Sequence, residues 1–156
     1  PDLTVTAGNA SGVNDGAAAI LMANEAAAAR NGLKPMARIV GMAAAGAEPR
    51  VLGIGPVPAP RKILARTGLP LDQMDVIELN EAFAAQALAV MGDLDLNPEK
   101  VNPHGGAIAL GHPLGATGAI RTATMFNGMQ RTGGKYGMVT MCIGTGMGFA
   151  MICENM

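Results

Sequence analysis

Tryptophan is absent from the 156 residues, and three Phe and one Tyr are the only aromatics. The core therefore cannot rest on ring packing. It must be built from Ala, Val, Ile, Leu and 12 Met, a set that lets backbone elements approach closely. Cysteine is scarce too: two in a chain of this length make no disulfide framework and fit a reducing, cytoplasmic compartment. Charge is sparse, at 15% of residues and a net −1, so no basic footprint for nucleic acid exists. No apolar run approaches the ~20 residues that span a bilayer, and no signal peptide or lipidation motif is read at the ends. The 22 Gly show no Gly-X-Y period, which excludes collagen and leaves turns and close backbone approaches.

At this length one domain, residues 1–156, is expected, with no linker and no internal repeat. The apolar run Ala17–Ala23 reads as a strand, followed by an Ala-rich helix from Glu25 to Arg30 between an Asn24 cap and the stop Asn31-Gly32. Further strands are expected at 38–42, 75–79, 136–143 and 147–153, the last two joined through Gly144-Thr145-Gly146. Helices are expected at 61–67, 81–91 and 115–131, and an irregular Pro/Gly loop at 48–60. Strand–helix–strand–helix–strand–helix–helix–strand–strand (βαβαβα(α)ββ) describes a layered α/β fold. Its mixed five-stranded sheet is covered by helices and ends in an antiparallel pair.

The chemistry gathers at few positions. His112 sits between Gly111 and Pro113 in a glycine-rich loop running from Asn102 to Gly118. Glycines surrender contacts and raise ordering costs, so such a loop suits a site that aims one titratable group better than it suits a core. The bland alternative is a cap at a helix entry. For His104 the reading is a surface-loop histidine. Cys142 ends an apolar strand just before Ile143-Gly144, beside exposed N–H donors, whereas Cys153 fits an inert packing thiol. Asn80, at a strand's carboxyl end, is either an N-cap or a ligand-facing group. The glycine loops match neither a P-loop nor a dinucleotide fingerprint, and His104, His112, Cys142 and Cys153 have no compact zinc spacing, so no nucleotide and no metal is expected.

Four segments occur in one order: Thr6 to Ala17, Asn80 to Gln86, Gly105 to Pro113, and Cys142-Ile143-Gly144. Together they resemble the thiolase family along nearly the whole chain. The resemblance implies a thiolase-like C-terminal domain that works on acyl-CoA and coenzyme A as substrates, with no further cofactor. It implies that Cys142 is the acid/base cysteine at the acetyl carbon. His112 would activate a separate acyl-accepting cysteine and donate to the thioester oxygen, Asn80 would hold a water in that oxyanion site, and Gly144 N–H would belong to the second. Ala7 and Ser11 match positions along the pantetheine arm, while Phe83 and Leu52 match positions beside the acyl pocket, with Ala82 among the substrate-binding residues.

The family's acyl-accepting cysteine has no counterpart here, so the chain is expected to be the C-terminal half of a thiolase, inactive by itself and partnered by an N-terminal half. A dimer or tetramer of the full enzyme and a large exposed apolar surface are further expectations. Two departures stand out: His104 lies where the family more often has a small polar residue, and Leu52 where short-chain enzymes often carry Met. A stand-alone coenzyme A-binding or assembly module is the alternative from another class. Ketoacyl synthases, the nearest enzyme competitor, usually place His where Asn80 stands.

Overall fold

Asn24 accepts a hydrogen bond from Ala27 N–H at 2.8 Å, and this side-chain cap starts helix α1, Glu25–Arg30. The computed structural model describes residues 4–156. After α1 come strand β1 (Ala37–Gly46), a 3₁₀ turn at Pro49–Ile54 and helix α2 (Pro58–Thr67). Pro at the start of α2 costs no hydrogen bond, and Gly68, left-handed at φ 71°, ends it. Strand β2 (Met74–Leu79) leads to helices α3 (Ala84–Leu94), α4 (Ala107–Leu110) and α5 (Thr117–Thr132). Strands β3 (Tyr136–Ile143) and β4 (Met147–Asn155) close the chain.

The sheet runs β1-β4-β3-β2. β3 and β4 form the expected antiparallel hairpin, β4 pairs antiparallel with β1, and β2 runs parallel to β3. One face packs Ile77, Leu79, Met138 and Ile152 against Ile63 of α2 and Val90 of α3. The other packs Val76, Val139 and Cys153 against Met125 and Met129 of α5. Helices thus cover both faces, and flexible Met side chains do the filling that rings do elsewhere. Cys153 is fully buried, and burial pushes its thiol up to about 11, in keeping with an inert packing role.

One expected strand does not form, so the sheet has four strands and not five among the described residues. Residues 17–23 lie in no regular element and all are exposed, Leu21 by 81% and Met22 by 69%. An apolar run becomes a strand only where an edge takes up its N–H and C=O groups, and among the described residues none does so for this run. It borders instead an open apolar cavity of about 710 Å³ whose other walls include Leu33, Met36, Phe126 and Met156. Helix α3 also starts three residues later than expected, because Asn80 to Phe83 are held by other partners, and the four-residue α4 was not anticipated. No helix among the described residues is long and apolar enough to cross a membrane.

Between β2 and α5 lies a buried ion pair: Arg121 Nη1 donates to Glu78 Oε2 at 3.3 Å, with both side chains at most 1% exposed. Glu78 Oε1 and Arg121 Nε have no partner among the described residues. Burial pushes the Glu78 carboxyl from 4.5 up to about 7, against the lowering pull of Arg121. Between those values the folded chain holds a proton that the unfolded chain has released. The Glu78 contribution to stability is therefore fullest below about pH 4.5 and is lost as pH rises through about 7. Glu78→Gln is expected to lower stability overall yet remove this pH-dependent loss, which is on the order of 3 kcal/mol. Urea unfolding of both chains at about pH 5 and about pH 8 checks this; equal slopes would contradict it.

Candidate active site

Where β2 ends, its neighbour becomes a side chain. Asn102 Oδ1 accepts from Leu79 N–H at 2.9 Å, and Asn102 Nδ2 donates to Leu79 C=O at 2.8 Å. The amide thus imitates a strand partner on the open edge of β2. Asn102 holds φ 47°, a left-handed conformation that Asn tolerates. Its Nδ2 also reaches Glu81 Oε1 at 2.8 Å, while Glu81 Oε2 accepts from Ile108 N–H at 3.1 Å in the first turn of α4. Glu81 therefore clamps both ends of the segment that leads to His112. Gly106 lies flat on that carboxylate, and a Cβ there would collide with it.

His112 is held from three sides. Its N–H bonds Gly12 C=O at 3.0 Å and Asn14 Oδ1 at 3.2 Å, its Nδ1 lies 2.7 Å from Thr117 Oγ1, and its Nε2 lies 3.3 Å from Asn80 Nδ2. Asn80 is fully buried, and its N–H extends the parallel ladder to Thr140 C=O at 3.0 Å. Neither residue acts as a helix cap: α3 begins at Ala84 and α5 at Thr117, each without a side-chain cap from them. Their side chains face each other instead. Desolvation, then the nearby Arg121 guanidinium, pull the imidazole below its ordinary 6.5, so it is neutral at pH 7. Arg121 reaches the same loop directly, donating to Gly105 C=O at 2.9 Å.

Cys142 lies two residues beyond Thr140, at the carboxyl end of β3 and so at the sheet end that carries Asn80. Burial raises its thiol above 9.0, which keeps it protonated at neutral pH. No hydrogen bond among the described residues joins it to Asn80 or His112. Cys142 pairs with Gly148 and Cys153 with Gly137 in the β3–β4 ladder, so the two thiols stand at opposite ends of it. The exposed Gly144 begins the turn after Cys142, and Gly146 C=O docks that turn to Ala47 N–H at 2.7 Å.

The substrate-binding candidates divide. Ser11 bonds Ala82 C=O through both its N–H, at 3.1 Å, and its hydroxyl, at 3.3 Å, which places Ser11, Ala82 and Phe83 together. Leu52, in the 3₁₀ turn, and Phe83 are each 41% exposed. Ala7 is exposed in the N-terminal turn. His104 stands apart: its ring faces Gly128 of α5, in a shallow groove that also includes Asp75 and Lys135. The supporting residues Glu81, Asn102, Thr117 and Arg121 received no role from sequence. Two signals were available, since Glu81 follows Asn80 directly and Thr117 lies five residues after His112.

A glycine loop fixed by backbone bonds, an imidazole against a buried amide and a thiol at the adjoining strand end thus meet at one end of the sheet. The family model of the thiolase C-terminal domain matches residues 33–155, so this chain belongs to the thiolase family. It is 56% identical to a β-ketoadipyl-CoA thiolase of Pseudomonas aeruginosa over 99% of its own length and 39% of that protein's. It is 60% identical to a 3-oxoadipyl-CoA/3-oxo-5,6-dehydrosuberyl-CoA thiolase of Escherichia coli K12, over 97% and 38%. Among solved structures it resembles a Bacillus anthracis acetyl-CoA acetyltransferase (TM-score 0.95, 48% identity, covering 97% of this chain and 39% of that one). It also resembles human mitochondrial 3-ketoacyl-CoA thiolase in complex with CoA (TM-score 0.91, 46% identity, 98% and 39%). The chain therefore spans about two fifths of the length of these relatives.

Gly106→Ala tests the clamp. The added methyl has to displace the Glu81 carboxylate, with an expected loss of about 1–3 kcal/mol. Gly115→Ala, where a Cβ meets nothing within 4 Å, is expected to stay within about 1 kcal/mol of the parent. Thermal unfolding of the two variants side by side checks the contrast.

Proposed function

We propose that residues 1–156 form the C-terminal half of an enzyme that transfers an acyl group between coenzyme A and an acyl-CoA carbon. The observation that carries this reading is the Asn80–His112 pair, a buried amide and a neutral imidazole in contact at 3.3 Å. Such a pair can take a proton from a thiol and then hold donors toward a developing thioester oxyanion. The acyl-accepting thiol belongs to an N-terminal half. In the cleavage direction that sulfur attacks the 3-keto carbon of a 3-ketoacyl-CoA. The bond between C2 and C3 breaks, its electron pair passes into the acetyl-CoA enolate, and the Cys142 thiol delivers the proton to C2. Coenzyme A thiol then takes the acyl group from the N-terminal cysteine. Condensation of two acetyl-CoA molecules runs the same steps backwards. Gly144 N–H stands as a donor to the enolate oxygen, and one such donor is worth ~3–4 kcal/mol in well-studied oxyanion holes.

Coenzyme A lies along Ser11 and Ala7 in this reading, with the acyl group near Ala82, Phe83 and Leu52. The relatives named for β-ketoadipyl-CoA point to a dicarboxylic acyl chain as one substrate. Leu52 and Phe83 supply only apolar surface, so recognition of a distal carboxylate rests on the other half. Exposed Val13, Leu21, Leu110 and Leu114 support a partner that covers them, an N-terminal half first and further subunits of a cytoplasmic oligomer beyond it.

The isolated 156 residues are expected to show no thiolysis of acetoacetyl-CoA or 3-oxoadipyl-CoA. A form extended at its N-terminus to the length of the relatives is expected to be active. In that form, Cys142→Ala and His112→Ala each lower kcat by about 10²–10⁴-fold. Turnover by the isolated chain at the rate of the extended form would overturn the assignment.

A further inference from the structure

Thr117 is 1% exposed and is the first residue of α5. Its hydroxyl oxygen lies 3.1 Å from Pro113 C=O, one helical turn back, and 2.7 Å from His112 Nδ1. A hydroxyl has one proton to donate, and a carbonyl oxygen can only accept. The contact with Pro113 is a hydrogen bond only if Thr117 gives its proton there. The lone pair left on Oγ1 then faces Nδ1, which can bond to it only as N–H. A neutral imidazole with a proton on Nδ1 is bare at Nε2, and Asn80 Nδ2 donates to that bare nitrogen at 3.3 Å. All three contacts are hydrogen bonds in this arrangement. The opposite tautomer, even with the Asn80 amide turned round, makes bonds of only two and leaves two acceptor oxygens facing each other at 3.1 Å.

We propose that Thr117 is a positioning residue: by donating to Pro113 C=O it holds His112 in the Nδ1–H tautomer and keeps Nε2 bare on the side that faces Asn80. An unconstrained imidazole favours the proton on Nε2, which would block that nitrogen as a proton acceptor. Thr117 thus sets which atom of His112 can act as a base. The tautomer itself depends only on the three contacts. Its use, to receive a proton from a thiol, rests on the acyl-transfer reading.

Long-range ¹H–¹⁵N correlation of the histidine rings in the 156-residue chain, above the His112 titration, reads the tautomer directly. The parent chain is expected to show Nδ1 of His112 as N–H and Nε2 as bare nitrogen. Thr117→Val, which keeps the shape and removes the hydroxyl, is expected to move the proton to Nε2. Thr117→Ser, which keeps the hydroxyl, is expected to restore the parent pattern. His104, against Gly128 on another part of α5, serves as the internal control for an intact fold. Nε2–H in the parent, or an unchanged Nδ1–H in a folded Thr117→Val chain, would overturn the assignment. The parent spectrum alone suffices for the first of these, whatever the fate of the variants. An Nδ1–H imidazole in an extended protein without acyl-transfer activity would uphold the role of Thr117 and remove the proposed function, so the two fail separately.

Discussion

The pairing of the Asn102 side chain with the backbone of Leu79 is the constraint on which the site depends. β2 is an edge strand, and its last residue would otherwise turn both polar backbone groups toward solvent. Asn102 satisfies both, and in doing so brings the start of the glycine loop to the carboxyl end of the sheet. Glu81 then joins Asn102 to α4 across the close approach at Gly106. Without this stitch, His112 would be tied only to the exposed segment around Gly12, to the Asn80 side chain and to α5.

The electrostatics follow from the same arrangement. A buried Arg121–Glu78 pair lies beneath the loop, and Arg121 also grips the Gly105 carbonyl. A buried pair of this kind is weak support for stability, because desolvation offsets the attraction. Its effect on the site is clearer: a fixed positive charge near an imidazole disfavours a second one. The loop is thereby held in place by a group that adds to the effect of burial in keeping His112 neutral. Neutrality is what a base or a hydrogen-bonding imidazole requires at physiological pH.

Much of this was legible in the sequence, for reasons specific to each element. The Asn24 cap, the Gly68 stop and the Gly144-Thr145-Gly146 turn declare themselves through local chemistry, and α1, α2 and the β3–β4 hairpin follow it. Asn80, His112 and Cys142 were legible because glycine and strand ends around a polar group contradict core packing. The Ala17–Ala23 run was misread, since its apolar character reports a need for a partner and not the identity of that partner. The bonds that Glu81 makes to Asn102 and to α4 were illegible for another reason. A carboxylate that bonds an amide 21 residues away and an N–H 27 residues away leaves no periodic trace. His104, read as a surface-loop histidine, is exposed, and its packing on Gly128 depends on how α5 lies.

The imidazole's protonation follows from the docked loop, and one NMR titration addresses that link. His112 is followed in the parent chain and in Asn102→Ala. The parent is predicted to titrate below 6.5. In the variant the loop loses its anchor on Leu79, water reaches the ring, and the titration moves up toward the ordinary histidine value. An equally depressed value in both chains would show that the Asn102–Leu79 pairing does not govern His112.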